Sequence, residues 1–290
     1  MDFLGKIVIS GLMNGSIYGL VAIGFVLIYK SSAVLNFAQG YMVLLGAYLF
    51  WTFSGALHLG VIPSLLLTIP SAFIMGILIE RITLRPLIGQ PLITMITVTI
   101  FLSLVIEGIV SMVWGTYPLQ QLTIFSRETL KIGQLVLTTE NLYAFGLAFG
   151  AMLALIFFFR FTQLGLAMRG VAEGHQIMQS MGISVKRILT ISWGIAGIAA
   201  TLGGVILGGT LGFQLTLSHI GLLAIPAAFI GGLESPEGAV LGGLLMGLIE
   251  SSVSGYVGSA AGVPATYIVL ILVMLVRPYG FFGLERIERV

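Results

Sequence analysis

The stretch RFTQLGLAMRGVAEGHQIMQSMGISVKR, Arg160 to Arg187, interrupts a chain that otherwise avoids water. It carries four basic residues and one acid, and long apolar runs flank it on both sides. Leu164, Ala167, Val171, Met178 and Met181 recur in it at helical spacing, while Arg169, Glu173, Gln176 and Ser180 fall on another face. The pattern predicts a short amphipathic helix over 165–181 at a membrane surface, stopped by Gly182, with SVKR leading into the next apolar run. A solvated loop, or a helix resting on lipid alone, answers the same spacing.

Working outward, the surroundings explain why this stretch stands out. Of 290 residues, 58% are hydrophobic and 8% charged, with mean hydropathy +1.10. A soluble domain carries roughly a quarter charged residues. Too few charges are present here to cover a water-soluble globule, whereas lipid solvates an apolar exterior directly. The net charge of +2 gives no reason to expect nucleic acid. Cysteine is absent, which excludes disulfides and thiolate metal sites. The opening MDFLGKIVISGLMNG lacks a basic leader and a small-residue cleavage site, and reads as a retained first span.

A helix needs about 20 apolar residues to cross the hydrocarbon. Candidate spans are 7–28, 41–57, 61–79, 93–113, 142–159, 188–207, 222–233, 239–253 and 265–276. Several are short: 222–233 reads as a half-helix or part of a broken one, and the turn at 35–40 as a further break. The expectation is an all-α polytopic membrane protein with eight to ten membrane segments, some broken or re-entrant. Basic residues orient it. Arg81 and Arg85 share one loop; Arg160, Arg169, Lys186 and Arg187 share another; Arg277, Arg286 and Arg289 follow the last span. Counting spans puts all three on one side, the cytoplasm, with the C-terminus inside. The loop 114–141, where Arg127 and Lys131 are balanced by Glu128 and Glu140, lies outside. No domain boundary is visible, so 1–290 reads as one transmembrane domain.

Glycine numbers 39 and recurs at four-residue spacing, as in Gly11, Gly15 and Gly19, Gly146 and Gly150, Gly204, Gly208 and Gly212, or Gly243 and Gly247. Such stripes let helix backbones approach closely. They serve static packing, or a core whose helices slide on one another. Charge inside the spans is rare, and each intramembrane carboxyl is a candidate for function. Glu107 and Glu250 are such groups; each faces a water-filled cavity, or reaches the interface or a neighbouring helix. Asn14 in the first span, and Asn36 and Gln39 in VLNFAQG, offer amide donors and acceptors. They contact a polar solute at a helix break, or they satisfy the backbone groups that the break frees. These five are the candidate translocation-path residues. No phosphate-binding G-x-x-x-x-G-K-[ST] loop, H-E-x-x-H or G-x-S-x-G occurs, so no catalytic constellation and no cofactor is indicated.

Four ordered motifs resemble one family. FTQLGLAMRGVAEGHQIMQSMGISVKRI is similar to the coupling region of branched-chain amino acid ABC-importer permeases of the LivH type. GLMNGSIYGLVAIGFVLIYKSSAVLNFAQGYMVLLGAY resembles their first two segments, AAFIGGLESPEGAVLGGLLMGLIES their glycine-rich late segment, and VRPYGFFGLERIERV their tail. The likeness is weakest across 114–141. It implies a type II ABC importer fold and a permease in a bacterial inner membrane. A second homologous permease, or a second copy, would pair with it. Two ATPase subunits would bind below, and an extracytoplasmic binding protein would deliver the solute. Arg169, Ala172, Glu173 and Gly182 would then meet the ATPases, although Gly174 stands where the family often has an acidic or polar residue. The implied solute is a branched-chain or other hydrophobic amino acid, with urea and short amides as alternatives. Two rivals stay open: an ion-coupled secondary transporter using Glu107 or Glu250, and a purely structural membrane subunit.

Overall fold

In hydrocarbon every backbone N–H and C=O has to be paired within the protein, and a helix does this locally. The computed structural model describes residues 2–87, 90–120, 122, 124–125, 128–132 and 135–283, and it is helical almost throughout. Arg127, Arg286 and Arg289 lie outside the described residues. In chain order the helices are α1 (Asp2–Ser32), α2 (Gln39–Trp51), α3 (Val61–Ile79), α4 (Leu92–Trp114), α5 (Thr139–Phe161), α6 (Gln163–Glu173), α7 (His175–Ser180), α8 (Val185–Leu211), α9 (Leu217–Leu222), α10 (Ala224–Gly231), α11 (Pro236–Tyr256) and α12 (Ser259–Val276). Wider π-helical turns prolong α2 over Thr52–Ala56 and α3 over Glu80–Leu84. A small antiparallel hairpin, β1 (Thr129–Ile132) and β2 (Leu135–Thr138), precedes α5.

Among the described residues, seven helices are long and apolar enough to cross a bilayer: α1, α3, α4, α5, α8, α11 and α12. The shorter α2, and α9 with α10, complete the expected eight to ten segments. The break foreseen near 222–233 falls at Leu223, between α9 and α10. Local chemistry sets several ends. Ser235 accepts a hydrogen bond from the Gly238 N–H at 2.9 Å and Pro236 opens α11, a favoured pairing of N-cap and first-turn proline. Gly212, at φ 87°, closes α8 in a conformation that side chains resist.

The bundle is built around α1 and α8, whose most apolar windows are 89% and 83% buried, against 11% for α12. The peripheral helices turn large apolar side chains outward, such as Ile62, Leu66, Leu104, Ile271 and Leu275. Lipid is the solvent such surfaces require.

The two ends of the bundle differ. At one end Lys30 Nζ donates to the Glu234 carbonyl at 2.8 Å and sits over the Phe159 ring. The turn after α12 docks there too, through Phe281 N–H to Ile230 O at 2.8 Å. Arg85 and Lys186 line a shared pocket close by. At the opposite end Trp51 Nε1 donates to Gln120 O, Trp114 Nε1 to Thr52 Oγ1, and Leu119 N–H to Phe213 O. The basic loops around residues 85, 160–187 and 277 therefore share one end, and the loop before α5 occupies the other.

The glycine stripes divide into two kinds. Gly15 and Gly243 pack α1 against α11 with backbone touching backbone, and Gly204 seats α8 on the Val43 carbonyl of α2. Gly146 and Gly150 on α5, expected to pack in the same way, face open space: among the described residues a Cβ at either would have no neighbour within 4 Å. Helical spacing alone does not distinguish a glycine row facing a neighbour from one facing outward.

Candidate functional sites

The polar segment after α5 is two helices, not one. α6 ends at Glu173, Gly174 runs in extended conformation (φ −177°, ψ 109°), and α7 starts afresh at His175. The expected continuous helix over 165–181 is thus broken at a residue that pattern analysis passes over, because glycine is a weak helix former rather than an obligatory stop. Thr162 caps α6, its Oγ1 accepting from the Gly165 N–H at 3.0 Å. Gly165, Met168 and Val171 form its buried face. Gly165 lies so close to the Phe159 backbone that a side chain would collide with it.

Of the predicted apolar face, Val171 and Met178 are buried and Ala167 is partly covered, whereas Leu164 and Met181 are exposed at 40% and 69%. The true seam follows Gly165 and Met168, and glycine carries no hydrophobic signal to mark it. Arg169 folds back on the bundle, Nη2 donating to Arg160 O at 3.2 Å with its guanidinium over Phe159. Ala172 is half-buried, and Glu173 and Gly182 are exposed, the latter at φ 80°. Glu173, Ile177 and Met181 thus form a mixed acidic and apolar outer surface on a firmly seated segment.

Asn36 and Gln39 sit where the chain breaks between α1 and α2, and both are fully enclosed. Asn36 Oδ1 accepts from the Ala38 N–H at 3.1 Å and its Nδ2 donates to Gln39 Oε1 at 3.3 Å. Gln39 Nε2 in turn donates to Ala196 O on α8 at 3.2 Å. Thr99 of α4 completes the arrangement, accepting from Phe37 N–H and donating to Leu35 O. Asn36 thus meets one backbone N–H at the break, and Gln39 ties the break to α8.

Asn14 and Glu250 come together. They line one open pocket of about 270 Å³ with Lys6, Ser10, Ser251 and Ser254, between α1 and α11. Tyr18 lies beside the Glu250 carboxyl, whose Oε2 has no hydrogen-bond partner among the described residues. Glu107 stands elsewhere, half-buried on α4 opposite Tyr41 of α2. The five polar residues singled out in the sequence are therefore three separate places: the α1–α2 break, the α4–α2 contact, and the pocket beside Glu250.

One carboxylate escaped the sequence reading. Glu80, in GILIERITLR, is 2% exposed. Its Oε2 accepts from Thr190 Oγ1 of α8 at 2.9 Å, and its Oε1 lies 4.0 Å from Arg85 Nε without a hydrogen bond. The signal was an acid at the very end of an apolar run, beside two arginines, which reads as loop. The π-helical turn carries it inward.

Residues 7–277 match the family model described as "Branched-chain amino acid transport system / permease component". The chain belongs to this family. Among curated relatives, the permease is similar to the high-affinity branched-chain amino acid transport system permease protein LivH of Salmonella typhimurium, 29% identical over 97% of this chain and 96% of that one. It is also similar to BraD of Pseudomonas aeruginosa, 30% identical over 97% and 96%. Among solved structures, PsaBC from Streptococcus pneumoniae in complex with Fab aligns at TM-score 0.48 and 14% identity, over 97% of this permease and 94% of that chain. The matched span runs from α1 to the end of α12, so the permease is a polytopic membrane protein of the transport family throughout its helical body.

Proposed function

We propose that this permease is the membrane subunit of an ATP-binding cassette importer for branched-chain or other hydrophobic amino acids. It makes no covalent bond itself; ATP is hydrolysed by two partner subunits. It spans a bacterial inner membrane as one transmembrane domain, with its C-terminus and the segment 160–187 in the cytoplasm and the loop 114–141 outside. A homologous second permease, or a second copy, pairs with it, and an extracytoplasmic binding protein delivers the solute.

The single observation that carries this reading is the seating of α6 and α7. Gly165, Met168, Val171 and Met178 fix the segment to the bundle, and Glu173, Ile177 and Met181 remain on its outer face. A helix merely floating on lipid has no need of such a tight inner seam. A lever that receives force on one face and passes it on through the other needs both. Ala172, Glu173 and Gly182 form the ATPase-facing set, and Arg169 of the same segment braces α6 against the bundle behind them; differential contact there stabilises one conformation of the bundle over another. The pocket of Asn14 and Glu250 supplies polar contact for a solute passing alongside the joined pair α1 and α11.

Reconstitution in liposomes, with and without the ATPases and the binding protein, tests the proposal. Uptake of L-leucine is expected only with ATP and all partners present. Gradient-driven uptake by this chain alone would overturn it in favour of an ion-coupled carrier at Glu250 or Glu107. Competition by unlabelled urea or acetamide, in place of isoleucine and valine, would move the solute class and leave the machine intact.

A further inference from the structure

A second pocket lies away from Glu250, at the end of the bundle that holds the basic loops. There Glu80, Arg85, Lys186, Leu84, Met95 and Trp193 line a pocket of about 230 Å³. An apolar protein cavity of roughly 150 Å³ already admits benzene, so this one has room for a small amphiphile. Its chemistry is divided. Leu84, Met95 and Trp193 form an apolar wall, and Trp193 and Leu84 are buried. One carboxylate and two cations complete the lining.

Glu80 is the unusual member. A carboxylate accepts up to about four hydrogen bonds, and burying one with acceptor capacity unused is costly. Here Oε2 has Thr190, while among the described residues Oε1 has no donor, and the Arg85 guanidinium lies 4.0 Å from it. The side chain is 3% exposed. An unmet acceptor thus lies within the pocket wall, together with an excess of positive charge, since Lys186 adds to Arg85 against a single Glu80.

We propose that this pocket binds an apolar α-amino acid in its zwitterionic form. The ligand ammonium donates to Glu80 Oε1, the carboxylate is held by Arg85 and Lys186, and the aliphatic side chain lies against Leu84, Met95 and Trp193. Because the pocket joins the end of α3 to the start of α8 and to Gln179 of α7, a bound ligand ties the segment 160–187 to the bundle. Solute that has accumulated on this side then restrains the part through which force enters. The choice of amino acid rests on the proposed function.

Trp193 is one of three tryptophans in the chain, so the full chain carrying Trp51→Phe and Trp114→Phe, in lipid nanodiscs, reports on this pocket alone. Titration with L-leucine is expected to give a saturable change in Trp193 fluorescence. 4-Methyl-2-oxopentanoate, lacking the ammonium, and 3-methylbutylamine, lacking the carboxylate, are expected to bind at least about tenfold more weakly, a loss of about 1.4 kcal/mol. Glu80→Gln is expected to raise the half-saturating concentration at least about tenfold, and Lys186→Ala, at an exposed position, at least about threefold. A silent Trp193, equal binding of the oxo acid or amine, or a Lys186→Ala chain that binds unchanged would overturn the proposal. Leucine uptake driven by ATP alongside a silent Trp193 removes this site and leaves the proposed function standing. A Trp193 response without ATP-driven uptake does the reverse.

Discussion

Gly243 of α11 lies directly on Gly19 of α1: a Cβ at Gly243 would fall on the Gly19 backbone nitrogen and Cα. No side chain separates the two helices there, and Gly247 repeats the arrangement against Gly11 and Gly15. Gly243→Leu should therefore force α1 and α11 apart, with a stability loss at or above the roughly 1–3 kcal/mol typical of overpacking. Gly146→Leu, at an open position, should leave the isolated chain as stable as before. Thermal unfolding of the two purified variants in detergent checks this; equal melting would contradict the backbone contact.

Glu173→Lys should leave folding intact, because the side chain is exposed and the seam of α6 runs through Gly165, Met168 and Val171. If the segment is the ATPase-facing lever, the variant should lower transport-coupled ATP hydrolysis severalfold at unchanged membrane expression. Pull-down of the ATPases with the variant, together with their turnover, is the measurement. Unchanged coupling would refute the lever.

Gln39→Leu should destabilise the break between α1 and α2. It removes the tie to Ala196 O of α8 and leaves Asn36 Nδ2 without its oxygen acceptor, and stranding a buried polar group costs about 1–3 kcal/mol. Uptake should fall only in proportion to folded protein. A well-folded variant with abolished uptake would return Gln39 to the solute path.

Glu250→Gln should behave differently, since Glu250 faces an open pocket. Folded yield should stay near wild type while the maximal rate of leucine uptake drops at least severalfold. A variant that transports normally would reduce Glu250 to a packing partner of Tyr18.

How much of this was legible in the chain alone follows from where the signal resides. Membrane class, the short segments and the shared end of the basic loops all come from hydropathy and charge, which lipid reads directly. The bond from Asn36 to the Ala38 N–H was foreseeable in kind, because a broken helix must satisfy its freed groups, whereas the tie from Gln39 to α8 was not. The break at Gly174 was not, since isolated glycines also occur within intact helices, as Gly170 does here. Nor was the burial of Glu80, which depends on a π-helical turn that no periodicity announces. Nothing along the chain could reveal that Asn14 and Glu250, 236 positions apart by subtraction, share a pocket while Glu107 does not.

The interlocked glycines of α1 and α11 limit how the protein can change shape. Surfaces that meet peptide to peptide have no clearance for gliding, so the pair must swing as a single strut. Flexing is left to the joints with looser geometry: the widened turns at Thr52–Ala56 and Glu80–Leu84, and the extended link at Gly174. A spin label on α1 and another on α11 should keep a constant spacing through the nucleotide cycle, while labels placed across those joints drift.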